Sequence, residues 1–254
     1  MPKQEACRIA NGRGQTLAAV LHLPDVVTRE PWAVLSHGML STKDSRKHVA
    51  LAERLCELGF AAVRYDFSGQ GESEGRPDLI TYSNGVGDLR AVIESFKPRG
   101  AKRFLLIGSS LGSGVSMLAA PGLKDDVAGL ALMAAIYRTN IIWGAMRPEQ
   151  RERWEREGAF EFQGRPVAFD IIEDGRRLDV AGGLAAFPGP ALFVHGTKDE
   201  LIPPERIPPL AERHPGPTEV VFVEGADHRF SEDAHRARLV ETIAQWADRR
   251  FPVR

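Results

Sequence analysis

Ser110, Asp199 and His228 are the residues of this 254-residue chain whose types and order could support nucleophilic chemistry. A serine hydroxyl is a weak nucleophile until a base within hydrogen-bond reach takes its proton, and the base needs a carboxylate to hold its tautomer. Ser110 lies in Gly108-Ser109-Ser110-Leu111-Gly112, between the apolar run Phe104-Leu105-Leu106-Ile107 and the apolar stretch Val115 to Ala120. A G-x-S-x-G turn from strand to helix strains the backbone at the serine and lifts its hydroxyl over the sheet edge. The flanking glycines let strand and helix approach each other. Asp199 ends the segment Ala191 to Asp199, an apolar strand running into a polar turn. His228 closes Glu224-Gly225-Ala226-Asp227-His228 after the strand-like run Val220 to Val223. Ser, Asp, His is the chain order this turn predicts, and each residue falls just past a predicted strand, where open α/β sheets place their sites.

Taken singly, Asp199 reads as a turn former and His228 as a turn histidine; the three coincidences of position favour the joint reading. Glu200 and Glu205 compete for the role of acid, and His235 and His214 for that of base. His235 falls inside a predicted helix, and His214 precedes Pro215 away from any strand end. Asp227 adjoins the base, but consecutive side chains point apart.

Acyl transfer also needs backbone donors for the oxyanion of the tetrahedral intermediate. The strand Trp32 to Ser36 runs into His37-Gly38-Met39, so the Met39 N–H and the Leu111 N–H are the expected pair. His37 is out of order for the base.

The elements that must position these groups alternate along the chain. Cys7 to Ala10 and Thr16 to Leu23 flank Asn11-Gly12-Arg13-Gly14 and predict an N-terminal hairpin. Val49, Ala52, Leu55 and Leu58 have helical spacing, ended by Gly59. Phe60 to Tyr65 and Val127 to Ala134 read as strands, and Tyr82 to Phe96 as a helix. Ser231 is the expected N-cap of a last helix that carries Leu239, Val240, Ile243, Ala244 and Trp246 inward and ends at Arg249-Arg250. The alternation predicts an α/β fold: a mostly parallel central sheet with helices on both faces. The glycine-rich stretch Asp66 to Gly75 has the spacing G-x-G-x-x-x-G and is followed by Arg76-Pro77. It therefore fails as a dinucleotide loop and is expected to shape the rim near the strand ends.

One segment departs from the alternation. From about Ile136 to Phe187, roughly fifty residues separate two core strands, a length typical of a lid. Pro148 to Gly158 reads as a charged helix and Phe160 to Phe169 as a short hairpin. Ile141, Ile142, Trp143, Met146, Trp154, Phe160, Phe162 and Phe169 supply apolar mass, and those facing Ser110 would line a pocket for an acyl or aromatic group.

A net charge of −1 gives no electrostatic case for a nucleic-acid partner or an anionic membrane surface. Two cysteines, Cys7 and Cys56, make no disulfide framework and point to a reducing cytoplasm. The polar start Met1 to Ala6 does not read as a leader, and the longest apolar run, near Val127 to Ile136, is too short for a membrane span. No cofactor or metal is expected, and the sequence leaves the oligomeric state open.

The chain resembles the α/β-hydrolase superfamily in His37-Gly38, Asp66-Phe67-Ser68-Gly69-Gln70-Gly71-Glu72-Ser73, the serine turn, His195-Gly196-Thr197-Lys198-Asp199 and Gly225-Ala226-Asp227-His228. Within it the chain is similar to small bacterial serine esterases of the cinnamoyl (feruloyl) type, and more distantly to monoacylglycerol lipases and proline-iminopeptidase-like enzymes. The resemblance implies Ser110 as nucleophile, Asp199 as acid and His228 as base, in a single domain spanning 1–254 with a cap at about 136–187. The expected activity is hydrolysis of small-molecule carboxylic esters through an acyl-enzyme. Thioesterase and aminopeptidase remain as alternatives, the latter needing an acid for the substrate amine such as Glu149, Glu152, Glu155 or Glu157. A non-catalytic hydrolase-like binding protein is the alternative of another class. Two departures stand out: Gly112-Ser113-Gly114 where many relatives have paired glycines, and a cap without a match to the cinnamoyl esterase lid.

Overall fold

Side chains alternate between the two faces of a strand, and along the central strands both faces are buried and largely apolar, so layers of helices must cover both. The computed structural model describes residues 3–253; Met1 and Pro2, the start of the polar N-terminal stretch, lie outside them. The strands are β1 (Lys3–Ala10), β2 (Thr16–Leu23), β3 (Trp32–Ser36), β4 (Ala62–Tyr65), β5 (Phe104–Ser109), β6 (Val127–Met133), β7 (Ala159–Phe162), β8 (Arg165–Ala168), β9 (Ala191–Gly196) and β10 (Thr218–Val223). The helices are α1 (Arg46–Glu57), α2 (Tyr82–Phe96), α3 (Leu111–Ala119), α4 (Ile141–Ala145), α5 (Pro148–Glu157), α6 (Asp170–Gly175), α7 (Val180–Ala185), α8 (Ile207–Ala211) and α9 (Asp233–Arg250).

Eight strands form one sheet in the order β1-β2-β4-β3-β5-β6-β9-β10. All neighbours from β4 to β10 pair in parallel, while β1–β2 and β2–β4 are antiparallel, as the N-terminal hairpin requires. From β3 the chain goes first to β4 on one side and then to β5 on the other. That reversal opens a crevice between the C-terminal ends of β3 and β5. In β5, Leu105 and Ile107 face Leu51, Leu55, Ile243 and Trp246 of α1 and α9. Phe104 and Leu106 face the opposite layer, with Leu89 and Val92 of α2 and Val115 and Met117 of α3. The sheet is thus buried on both sides, and its strand ends are fixed by both layers.

Two local expectations are corrected. Ser231 does not cap α9; its hydroxyl donates to Asp227 Oδ2 at 2.6 Å, and Glu232 occupies the cap position without a side-chain bond. The 66–75 loop does not reach the cavity beside Ser110. It folds back on β2, where Ala18 N–H donates to Ser73 Oγ and Glu74 N–H to the Thr16 carbonyl. The buried Asp66 carboxylate organises it by accepting from the backbone N–H groups of Lys43 and Glu72 and from the Lys43 ammonium.

Between β6 and β9 the chain forms α4, α5, the β7–β8 hairpin, α6 and α7. The helix and hairpin read from the sequence are both present. An aromatic cluster holds the segment together: Trp154 lies 5.7 Å from Phe160 and 6.0 Å from Phe169, and Trp143 lies 5.5 Å from Phe169. The Trp154 indole N–H donates to the Val167 carbonyl at 3.0 Å, which satisfies its polar atom in a side chain that is almost fully buried. Among the described residues no helix is long and apolar enough to cross a membrane.

Candidate active site

Ser110 stands between β5 and α3 with φ 52° and ψ −115°, outside the regions a side-chain-bearing residue ordinarily adopts. Such a conformation costs on the order of 1–3 kcal/mol and persists only where its surroundings impose it. Here they do. Ser110 N–H donates to the Met133 carbonyl at 2.9 Å, and its own carbonyl accepts from Ser113 N–H at 2.9 Å and Ser113 Oγ at 2.5 Å. Ser113 Oγ in turn accepts from Ile136 N–H, so the residue that replaces a glycine of the usual pattern ties the turn to the end of β6. A Cβ on Gly108 would run into the Gly112 carbonyl, and one on Gly112 into the carbonyls of Ser36 and His37. Glycine at both positions is what lets α3 start against β3 and β5.

The structure brings the three predicted side chains into one line. His228 Nε2 lies 3.0 Å from Ser110 Oγ, and His228 Nδ1 lies 2.8 and 3.0 Å from the two Asp199 oxygens. Because Nδ1 faces a carboxylate, it carries the proton and leaves Nε2 free to accept the serine O–H. Asp199 also accepts from the backbone N–H groups of Leu201 and Ile202. A further donor stands on β9, where His195 Nε2 is 3.2 Å from Asp199 Oδ2 and 2.9 Å from the Ile202 carbonyl. With acceptors on both contacts, this nitrogen must be protonated. Burial alone would raise the Asp199 carboxyl, but the hydrogen bonds from His195 and His228 outweigh it and hold the group well below the usual carboxylate range.

Gly38 places the other side of the crevice: a Cβ there would lie 3.5 Å from Ser110 Cβ. Leu111 is the first residue of α3 and has no intrahelical acceptor for its N–H. Neither its N–H nor that of Met39 has an acceptor among the described hydrogen bonds, and both residues line the cavity. His37 Nε2 accepts from Phe67 N–H, so its Nδ1 carries a proton and donates to the Gly38 carbonyl at 2.7 Å. Burial lowers the His37 imidazole below its ordinary value and keeps it neutral for this role. His37 thus fixes the Gly38–Met39 peptide instead of acting as a base.

Ser110 opens into a cavity of about 650 Å³. Ile142, Met146, Trp154, Phe160, Ile171 and Ile172 give it an apolar end, whereas Trp143 and Phe169, also expected as candidates, stand behind that wall in the aromatic cluster. Glu149, Glu152, Glu155 and Glu157 are exposed on α5 and do not line the cavity. Of the rival acids and bases, Glu200 lines the cavity mouth, Glu205 is exposed, His235 lies on α9, and the His214 ring bonds Thr218 Oγ1 away from it. Among the described residues the non-glycine ones with positive φ are Leu40, Ser110, Ala134, Gln163 and Phe230; all but Ala134 line the cavity, and Ala134 follows β6 at the same sheet edge. Backbone strain is therefore concentrated around Ser110. Among the described residues no three His, Cys, Asp or Glu side chains converge as a metal-ligand cluster.

A parallel sheet with a strained serine turn at its switch point, faced by a histidine–carboxylate pair from later strands, is the architecture of an α/β hydrolase. The chain belongs to the hydrolase family described as Serine aminopeptidase, S33, whose model matches residues 30–156. Over 230 residues it is 26% identical to the mitochondrial palmitoyl-protein thioesterase ABHD10 of Mus musculus, a match covering 87% of this chain and 76% of that protein. Among solved structures, Est1E from Butyrivibrio proteoclasticus with bound ferulic acid superposes with a TM-score of 0.85 at 23% identity, covering 96% of this chain and 99% of that one. Mouse ABHD10 gives 0.82, also at 23% identity and with the same coverage. These structural likenesses establish the fold.

Proposed function

We propose that the protein is a serine hydrolase that cleaves carboxylic esters of small molecules through an acyl-enzyme, with Ser110 as nucleophile, His228 as base and Asp199 as its orienting acid. The observation that carries this reading is the hydrogen-bonded line Ser110–His228–Asp199 opening on a largely apolar cavity. His228 Nε2 takes the Ser110 proton as Oγ attacks the ester carbonyl, and Asp199 stabilises the imidazolium. The oxyanion meets the N–H groups of Met39 and Leu111. Collapse breaks the bond to the leaving oxygen, which receives the proton from His228. Water, deprotonated by the same nitrogen, then attacks the acyl-Ser110, and the carboxylic acid leaves as the serine regains its proton.

In this reading residues 1–254 work as one hydrolase domain, with the segment at about 136–187 as its cap and the acyl group against the cap's apolar wall. A cytoplasmic setting is supported by the unpaired cysteines Cys7 and Cys56. A fatty acyl thioester is the second reading, favoured by the apolar end of the cavity and by the thioesterase name of the sequence relative. Peptidase action is not favoured, because the cap glutamates that could hold a substrate amine face solvent.

The test is hydrolysis of p-nitrophenyl esters of graded acyl length by the wild type and by Ser110→Ala, both checked for folding by circular dichroism. Loss of a serine nucleophile costs on the order of 10⁴- to 10⁶-fold in turnover. A folded Ser110→Ala protein that keeps its activity refutes the assignment. A folded wild type inert toward esters and thioesters leaves a binding protein.

A further inference from the structure

The ionisable lining of the cavity is one-sided. Arg46, Lys47, Arg229 and Arg236 line it on the His228 side, against one carboxylate, Glu200, among the described residues. Arg236 is neutralised by Asp233 at 2.5 Å. Arg229 donates to the Gln163 amide oxygen, and none of Arg46, Lys47 and Arg229 is ion-paired to a carboxylate among the described residues. Lys47 is half-buried on the first turn of α1, with its ammonium 5.9 Å from the centre of the Phe230 ring. Burial pushes this ammonium down to about 8, with Asp227 and Asp199 opposing the shift and Arg229 reinforcing it. A partly desolvated cation without a counter-ion is an unfavourable arrangement that an incoming anion relieves.

The direction of the chemistry says which part of a substrate would bring that anion. His228 Nε2 must hand its proton to the leaving atom, so the leaving group departs on the His228 side of Ser110. Arg229 follows His228 in the chain, and Lys47 rests against Phe230, two residues beyond the base. The acyl chain then has the apolar wall of Ile142, Trp154 and Phe160.

We propose that the leaving alcohol or thiol of the substrate carries an anionic group, received by Lys47 and Arg229 with Arg46 at the rim, while an apolar acyl chain fills the cap side. This rests on the ester-hydrolase reading and narrows it to amphiphilic acyl esters. The reaction consumes the ester and water and yields a carboxylic acid and an anionic alcohol or thiol. The same cations repel a free α-ammonium, which sets this site apart from one built for peptide N-termini.

The test compares two octanoyl esters with nitrophenolate leaving groups, 2-nitrophenyl octanoate and the octanoyl ester of 3-hydroxy-4-nitrobenzoate, which adds a carboxylate. The quantity read is the ratio of their kcat/KM values, which cancels any loss common to both. After correction for the uncatalysed reactivity of each ester, the wild type is expected to favour the anionic ester by about tenfold, and Lys47→Glu to abolish or invert the preference. The preference falls with added salt. Equal kcat/KM values in the wild type, or a ratio unmoved by Lys47→Glu and Arg229→Glu, overturn the proposal while leaving the hydrolase reading intact. A second measurement does not depend on turnover: calorimetric binding of octyl phosphate and of 1-octanol, which also extends the anion from carboxylate to phosphate. If neither ester is cleaved, the hydrolase reading fails. The anion site then stands if octyl phosphate binds more tightly than octanol and loses that advantage in Lys47→Glu, and falls if the two bind alike.

Discussion

The strand-end edge of the sheet and the segment between β6 and β9 enclose the same cavity, but they are held in place by different physics. At the sheet edge, Ser110 is kept at φ 52° by backbone hydrogen bonds and by glycines that admit no side chain, and Asp199 is fully buried with donors on both oxygens. In the cap segment, position depends on side chains: Trp154 packed among Phe160, Phe169 and Trp143. A backbone-built site tolerates little displacement, whereas a wall of packed side chains can be reshaped one residue at a time. In our proposal the first region determines the chemistry and the second the size of the acyl group.

The largest effect that separates the two regions is expected from Asp199→Asn. It removes the carboxylate that holds the His228 tautomer, and kcat should fall by about 10⁴-fold with little change in the preferred acyl length. Steady-state kinetics across the ester series measures both. Trp154→Ala should act the other way, costing about 3–5 kcal/mol in urea-induced unfolding and blurring acyl selectivity in whatever remains folded. Gly112→Ala would sharpen the contrast inside the first region. Its methyl meets the Ser36 and His37 carbonyls, so a loss of about 1–3 kcal/mol in unfolding free energy should accompany a drop in kcat. Ile142→Trp fills part of the cavity from the cap side. It should shift the optimum in the ester series toward shorter acyl chains, with discrimination against octanoyl of about tenfold and butyryl turnover retained.

The smallest effect is a pH dependence. The Lys47 ammonium, held to about 8, is charged below that pH and neutral above it, so any preference for an anionic leaving group should be present below pH 8 and decline above. Guanidinium groups do not deprotonate in this range, and Asp227 and Asp199 are held below the usual carboxylate range by their hydrogen bonds, so the change belongs to Lys47. In Lys47→Arg the preference should persist to higher pH. A decline at the same pH in that variant would assign it to another group.

The same contrast explains what could be read from the sequence. Gly108, Ser110 and Gly112 between a strand and a helix, with Asp199 and His228 past later strands, specify a backbone geometry, and that geometry has a sequence pattern. The sheet, the N-terminal hairpin and the longer helices α1, α2, α5 and α9 are legible for the same reason, whereas the short α4, α6, α7 and α8 leave no periodic signal. Trp143 and Phe169 could not be separated from Trp154 and Phe160, because short helices and a short hairpin do not fix which face turns inward. The link from His195 to Asp199 needs the turn at residues 196–199, which brings a residue four positions back onto the carboxylate. Nothing in the sequence singles out Lys47; the fold brings the Phe230 ring, from the turn after His228, to 5.9 Å from its ammonium. Ser231 loses its expected cap role because Asp227, four residues earlier, captures its hydroxyl. The 66–75 loop reads as part of the rim near the strand ends, whereas the buried Asp66 directs it back onto the sheet.

Ser110 should carry the acyl group between the two steps of the reaction. The most direct measurement is intact-protein mass spectrometry, with peptide mapping, of wild type and Ser110→Ala quenched in acid during turnover of p-nitrophenyl octanoate. One octanoyl adduct per chain is expected on the Ser110 peptide of the wild type, formed with a burst of p-nitrophenol, and none in the folded variant. An adduct on another residue, or turnover by folded Ser110→Ala at the wild-type rate, would contradict it.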